Sequence, residues 1–190
     1  PWNISFISSP VSAYDAFMDN QNALIASVGN AVTGEVERLG LYLAGEVEGC
    51  ELCSSPGGEM LWEDDFCRVV RVADADYPGF CRVIVRRHVA EMTDLSMDER
   101  SRLMSVVFTV EQVVRSVFLP DKINLASFGN VVPHLHWHVI PRWRDDRHFP
   151  QPIWGSAQRV SSPARAPVPN FRLATEIGAR IAQYGKGEGI

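Results

Sequence analysis

The chain lacks several things, and each absence excludes a class of function. No apolar run approaches the roughly 20 residues a membrane helix needs, so no membrane partner is expected. Positive charge is not in surplus. The 18 Lys and Arg stand against 23 Asp and Glu, for a net charge of −5. No basic stripe is visible for phosphate-backbone contacts, and no nucleic-acid partner is expected. Pro1-Trp2-Asn3-Ile4 shows no charged region followed by an apolar stretch, so no signal peptide is expected and the reading is cytoplasmic. Cysteines number four, at positions 50, 53, 67 and 81. In a cytosolic protein the Cys50-x-x-Cys53 pair reads as metal or redox chemistry, not as a disulfide scaffold. Alone it supplies half a tetrahedral zinc site. What remains is ordinary for a globular protein: 190 residues, 46% hydrophobic and 22% charged, enough for one domain with a full core.

Histidine is scarce too, at five residues, yet three of them alternate in His134-Leu135-His136-Trp137-His138. On a β-strand, side chains at i, i+2 and i+4 share one face. Three imidazoles then stand in a row while Leu135 and Trp137 face a core. Such a row suits metal ligation or nucleophilic catalysis, in which one ring attacks and its neighbours fix its tautomer. The bland alternative, half-buried strand histidines, requires the alternation to recur twice by accident.

Periodicity gives the organisation. Residues 1–49 hold two helical patches, 13–28 and 33–43, joined through Gly29-Asn30, with no chemical motif. Strands are expected at 60–62, 66–72 and 80–86, the last two antiparallel across the Pro78-Gly79 turn. The clearest helix is 96–118. Ser96 and Glu99 form a capping box, Leu103, Val106, Val107, Val110, Val113, Val114 and Val117 make one stripe, and Pro120 stops it. A strand at 123–128 and a Gly129-Asn130 loop lead to the triad strand. Residues 161–169 read as extended, and 171–184 as a short helix with Leu173, Ile177 and Ile181 on one face. Trp154 is read as packing. A helix on an antiparallel sheet makes an α+β fold.

His134-Leu135-His136-Trp137-His138-Val139-Ile140 resembles the signature of the histidine triad (HIT) family, His-x-His-x-His followed by two apolar residues. Cys50-Glu51-Leu52-Cys53, Tyr77-Pro78-Gly79-Phe80, Arg87-His88-Val89, the stretch from Asn124 to Asn130, and the segment from Phe149-Pro150 to Trp154-Gly155 extend the likeness to that of a bacterial HIT domain. The resemblance implies a HIT-like fold over 50–157, behind an extension at 1–49 and ahead of a tail at 158–190. It implies that His136 is the nucleophile toward the α-phosphorus of a purine nucleotide, with His138 and His134 beside it. By the same likeness Asn124 and Asn130 bind phosphate and leaving group, and Asp74, or alternatively Asp76, binds the ribose hydroxyls. Zinc-bearing members are similar in drawing two ligands from the positions of His88 and His134. With Cys50 and Cys53 these complete a structural zinc site, no organic cofactor is expected, and members are typically homodimers. The sequence departs from the pattern at Phe80, where many members carry a further histidine, and in the short segment between Asn124 and His134.

Three functions follow. The leading one is a nucleotide hydrolase or nucleotidyl transferase acting on a nucleoside phosphoramidate, dinucleoside polyphosphate or adenylylated compound through a nucleotidyl-His136 intermediate. The others are a zinc hydrolase using the His134/His136/His138 row, and a nucleotide-binding module without turnover. A chelator separates the first two, and turnover separates the third.

Overall fold

The computed structural model describes residues 47–184. Both helical patches expected before Leu43 lie outside them. The helix expected at 96–118 forms as Met97–Phe118, here α2, following a four-residue turn of helix at Glu51–Ser54, α1. Its capping box closes in both directions, Glu99 N–H to Ser96 Oγ at 3.2 Å and Ser96 N–H to Glu99 Oε2 at 2.7 Å. Leu119 ends the helix in the left-handed region at φ 49°, unusual for a residue with a Cβ.

Five strands form one antiparallel sheet: β1 (Glu59–Glu63), β2 (Cys67–Arg71), β3 (Cys81–Val85), β4 (Lys122–Ala126) and β5 (His136–Arg142), ordered β1-β2-β3-β5-β4. The β2–β3 pair is antiparallel across the Pro78-Gly79 turn, as its sequence implies. Gly79, at φ 92°, has no freedom to change, because a Cβ there would fall 2.4 Å from the Phe118 ring.

The period-two pattern divides the sheet's residues between two faces. Val69, Val83, Val85 and Val139 join the buried stripe of α2 in the main core. Val70 and Ile84 pack with Cys50 and Leu52 in a second cluster. The triad alternates as expected, with Leu135 and Trp137 in or against the main core and the three histidines turned the other way. One expectation is corrected. His134 precedes β5, which begins at His136; His134 N–H bonds to Val132 O and Leu135 N–H to Val89 O, outside the β3–β5 ladder.

The C-terminal segment is more firmly held than a tail. Arg71 Nη1 donates to Val168 O at 2.7 Å and Asn170 Oδ1 at 2.6 Å. The helix that follows, α3 (Asn170–Tyr184), buries Leu173 and Ile177 in the main core. Among the described residues no helix is long and apolar enough to cross a membrane.

Candidate functional site

Two sites meet at the triad. The first grows from α1, whose tight turn (Cys53 N–H and Ser54 N–H both to Cys50 O, 3.1 Å) points two thiols the same way. Arg68 fixes that turn by donating to Leu52 O, Ser55 O and Pro56 O. Facing the thiols is His134. Its Nε2 lies 2.6 Å from Val85 O; a carbonyl only accepts, so Nε2 carries the proton and Nδ1 keeps its lone pair. That lone pair faces Cys50 Sγ and Cys53 Sγ, each at 3.5 Å, while His88 Nδ1 lies 3.3 Å from Cys53 Sγ. The four ligand atoms lie within 4.8 Å of one another.

These separations fit a metal. A sulfur at about 2.3 Å and a nitrogen at about 2.05 Å from a tetrahedral zinc are about 3.6 Å apart. Burial lowers the pKa of His134 and of His88, leaving both rings neutral as a ligand must be. Cys67 and Cys81 are different: burial pushes both thiols up to about 12, which leaves them inert core residues.

The second site is a cavity of about 460 Å³ whose lining includes His136, His138, Asn130, Arg82, Phe128 and Trp154. His136 Nδ1 lies 2.6 Å from the His134 carbonyl oxygen, so Nδ1 carries the proton and Nε2 keeps a lone pair. Among the described residues Nε2 has no hydrogen-bond partner. Burial, with the Arg82 charge adding to it against the opposing bond to His134, lowers the His136 pKa. His138 stands beside it, ring centroids 4.7 Å apart, with its Nδ1 buried and unpartnered among the described residues. Burial first, then the neighbouring His136 and Arg82, takes its pKa down to about 3. The pocket therefore presents two neutral imidazoles, one with a free lone pair held in a fixed tautomer. Such a ring can attack an electrophilic centre, and its neighbour can donate from Nε2 to an anion.

The expected site residues divide accordingly. His136, His138 and Asn130 come together in the cavity, and Cys50, Cys53, His88 and His134 come together in the metal cluster. The row of three does not converge on an ion. Among the described residues the cluster is the one group of three or more Cys, His, Asp or Glu close enough to share a metal, because His136 turns Nδ1 back onto the chain. Asn124 lines an adjoining concavity that shares Phe128 and Trp154 with the cavity, and its Oδ1 is held by Arg142 Nη1 at 2.7 Å. Asp74 lies apart, in a concavity with Arg71 and Asn170, its Oδ1 accepting from Asp76 N–H. Asp76 is bound to Ser162 N–H and Arg147. The turn carrying both carboxylates is held to the C-terminal segment through Asp76, and neither carboxylate is among the described residues that line the cavity with His136.

Several residues escaped sequence reasoning. Trp154, expected to be packing, is half exposed and stands 5.0 Å from His138 and 4.8 Å from Phe128, ring to ring. Arg82 sits opposite His138 in the β3–β5 register. Phe80, at the position of the missing family histidine, is buried 5.6 Å from the His138 ring. Arg142, the last residue of β5, and Asp146 form a buried ion pair. Trp154 and Arg82 have no local signal, since each depends on residues brought together by register or by the return of the C-terminal segment; Arg142 and Asp146 are only four residues apart, and Phe80 is visible in the sequence only as a departure from the family pattern.

Comparison with known proteins agrees with this geometry. The family model of the HIT domain matches residues 57–145. The AP-4-A phosphorylase of Mycobacterium tuberculosis is 34% identical over 85 residues, 42% of this chain and 44% of that protein. The bis(5'-nucleosyl)-tetraphosphatase (asymmetrical) of Schizosaccharomyces pombe is 36% identical over 74 residues, 36% of this chain and 41% of that protein. The chain thus spans less than half the length of the curated relatives it matches. Among solved structures, a histidine triad protein from Marinobacter aquaeolei aligns with a TM-score of 0.53 at 25% identity, covering 67% of this chain and 91% of that one. One from Sinorhizobium meliloti aligns with a TM-score of 0.51 at 26% identity, covering 67% and 90%. The alternating histidines, the five-stranded antiparallel sheet with its packed helix and the match over residues 57–145 give one conclusion: residues 57–145 carry a HIT domain, and the sheet has the fold of histidine triad proteins.

Proposed function

We propose that the protein is a nucleotide hydrolase or nucleotidyl transferase that works through a covalent nucleotidyl-His136 intermediate. The observation that carries the reading is the hydrogen bond from His136 Nδ1–H to its own chain at His134 O, which leaves Nε2 as a lone pair on a cavity wall. The relatives named as dinucleoside polyphosphate enzymes support the substrate class, a purine nucleotide whose α-phosphate carries a leaving group.

In this reading Nε2 attacks the α-phosphorus, a P–N bond forms, and the bond from phosphorus to the leaving group breaks with its electron pair departing on that group. Water or another acceptor then attacks the same phosphorus and displaces the imidazole, restoring neutral His136. The nonbridging oxygens bear charge throughout and need donors in place before the reaction. His138 Nε2–H supplies one, with Asn130 as a second on the same cavity wall. Asn124 reaches the leaving group from the adjoining concavity. Asp74 does not line this cavity, and no step is assigned to it. Zinc, held by Cys50, Cys53, His88 and His134, would supply structural cross-linking of α1 to the triad, since four protein ligands leave no open position. The homodimer typical of the family belongs to the same reading.

The test is intact-protein mass after mixing with an adenosine phosphoramidate. An adenylyl-sized increase or steady AMP release by the wild type, absent in His136→Ala, is expected. Equal AMP release by both proteins would sink the mechanism.

A further inference from the structure

The cavity holds a cation that the mechanism above does not use. Arg82 extends from β3 opposite His138, with Ile84 opposite His136, so its side chain rises from the sheet face that carries the histidines. It lines the same cavity. A guanidinium offers five N–H donors, and among the described residues only one is engaged, Nη1 to Gly57 O at 3.1 Å. Nε is buried without a partner, and among the described residues no carboxylate pairs with Arg82. Arg68 on β2, paired with Ile84 on the same sheet face, makes the contrast plain. Arg68 commits its donors to three carbonyls of the α1 turn. Beneath Arg82 lies Phe80, whose ring centroid is 6.0 Å from the guanidinium carbon. Among the described residues the one acidic group lining the cavity is Glu51, which is exposed and acts on Arg82 by its charge without forming an ion pair with it.

A half-buried, underpaired guanidinium beside two neutral imidazoles is an anion site waiting for its anion. We infer that Arg82 is the phosphate-recognition residue of this cavity, its free donors holding nonbridging oxygens of the nucleotide phosphate over His136 and His138. The fork geometry suits a phosphate better than a point charge would. The inference rests on the reading of the cavity as a nucleotide site and assigns its charge recognition to a strand residue outside the triad motif.

A structural role, stapling the turn at Gly57, would predict equal effects on every ligand. The test therefore compares AMP with adenosine by calorimetry in the His136→Ala background, where nothing turns over. Arg82→Gln should weaken AMP about 10- to 100-fold, the scale of a charge-assisted pair, while adenosine changes less than about threefold. Arg82→Lys should restore part of the preference, because the charge returns and the fork does not. AMP and adenosine weakened alike, or AMP unaffected, would overturn the inference. If Arg82→Gln fails to fold, Arg82→Lys decides the matter: an undiminished AMP-to-adenosine ratio overturns it. Failure of the covalent mechanism is separately visible as full activity in His136→Ala. No AMP binding to the His136→Ala protein at all would overturn the nucleotide reading and this inference together.

Discussion

Replacing Asp146 by Ala should destabilise the protein by about 4 kcal/mol. Asp146 is fully buried and Arg142 nearly so. Oδ2 accepts from Arg142 Nε at 2.7 Å and Trp143 N–H at 3.1 Å, while Oδ1 accepts from Arg142 Nη2 at 3.0 Å, His148 N–H at 2.9 Å and Phe149 N–H at 2.7 Å. Burial opposes ionisation, yet the Arg142 bonds and three backbone donors together hold the pKa below the ordinary carboxylate value. Truncation leaves Arg142 with Asn124 Oδ1 and Gln151 O as acceptors but without a counter-charge. Removing one partner of a buried pair typically costs 3–5 kcal/mol, because the other charge stays desolvated. With a urea m-value of about 2 kcal/mol/M, the unfolding midpoint should fall by about 2 M. Urea titration at pH 7, followed by far-ultraviolet circular dichroism, reads this directly. The double variant Arg142→Met with Asp146→Ala should recover at least 1 kcal/mol of the loss, since it removes the stranded charge. A loss below about 1 kcal/mol for Asp146→Ala, or no recovery in the double variant, would refute the argument.

Other outcomes follow from features already described. Chelation should lower the melting temperature: a metal site loaded at about a thousand times its Kd contributes about 4 kcal/mol, or roughly 8–16 °C in a chain of this size. An unchanged melting temperature with no zinc by elemental analysis would remove the metal from the cluster. Acid should destabilise the fold through His138, whose folded pKa of about 3 lies below the ordinary 6.5. The unfolded chain then binds more protons, so this stabilisation is complete above about pH 6.5 and is lost toward pH 3, at up to about 1.4 kcal/mol per pH unit. His138→Gln should flatten the stability profile between pH 6.5 and 5, and parallel profiles would refute it. Leu119→Gly should stabilise by about 0.5–1 kcal/mol, because the left-handed cap at φ 49° strains an exposed side chain that packs on little. A lower urea midpoint would contradict that.

What could be read from the chain was mostly what is local. The Ser96–Glu99 box and the valine stripe of α2 are encoded within a few residues of each other, and both formed. The alternation of His134, His136 and His138 likewise predicted one face correctly, because the period of an extended chain is two. The Cys50-x-x-Cys53 spacing supplied two of the cluster residues and the resemblance to the HIT family the other two, His88 and His134, and the structure brings all four together. Legibility failed where partners are distant. Asp74 stands at a turn whose direction is set by Ser162, 86 positions from Asp76. Trp154 reads as an isolated aromatic until the C-terminal segment brings it to His138. Arg82 looks like any alternating strand arginine; its meaning comes from lying opposite a residue 56 positions later, a pairing fixed only by the β3–β5 register.

His134 belongs to both sites at once. Its ring faces the Cys50–Cys53–His88 cluster, and its backbone oxygen receives the Nδ1 proton of His136. One peptide unit is therefore the common wall between the part of the molecule built to stay still and the part exposed to ligand. Whatever draws the imidazole toward the thiols also aims that carbonyl, and the carbonyl dictates which nitrogen of the next histidine is free. Occupancy of the cluster should accordingly be audible in the His136 ring, as a change in its nitrogen chemical shifts, with no ligand in the cavity at all.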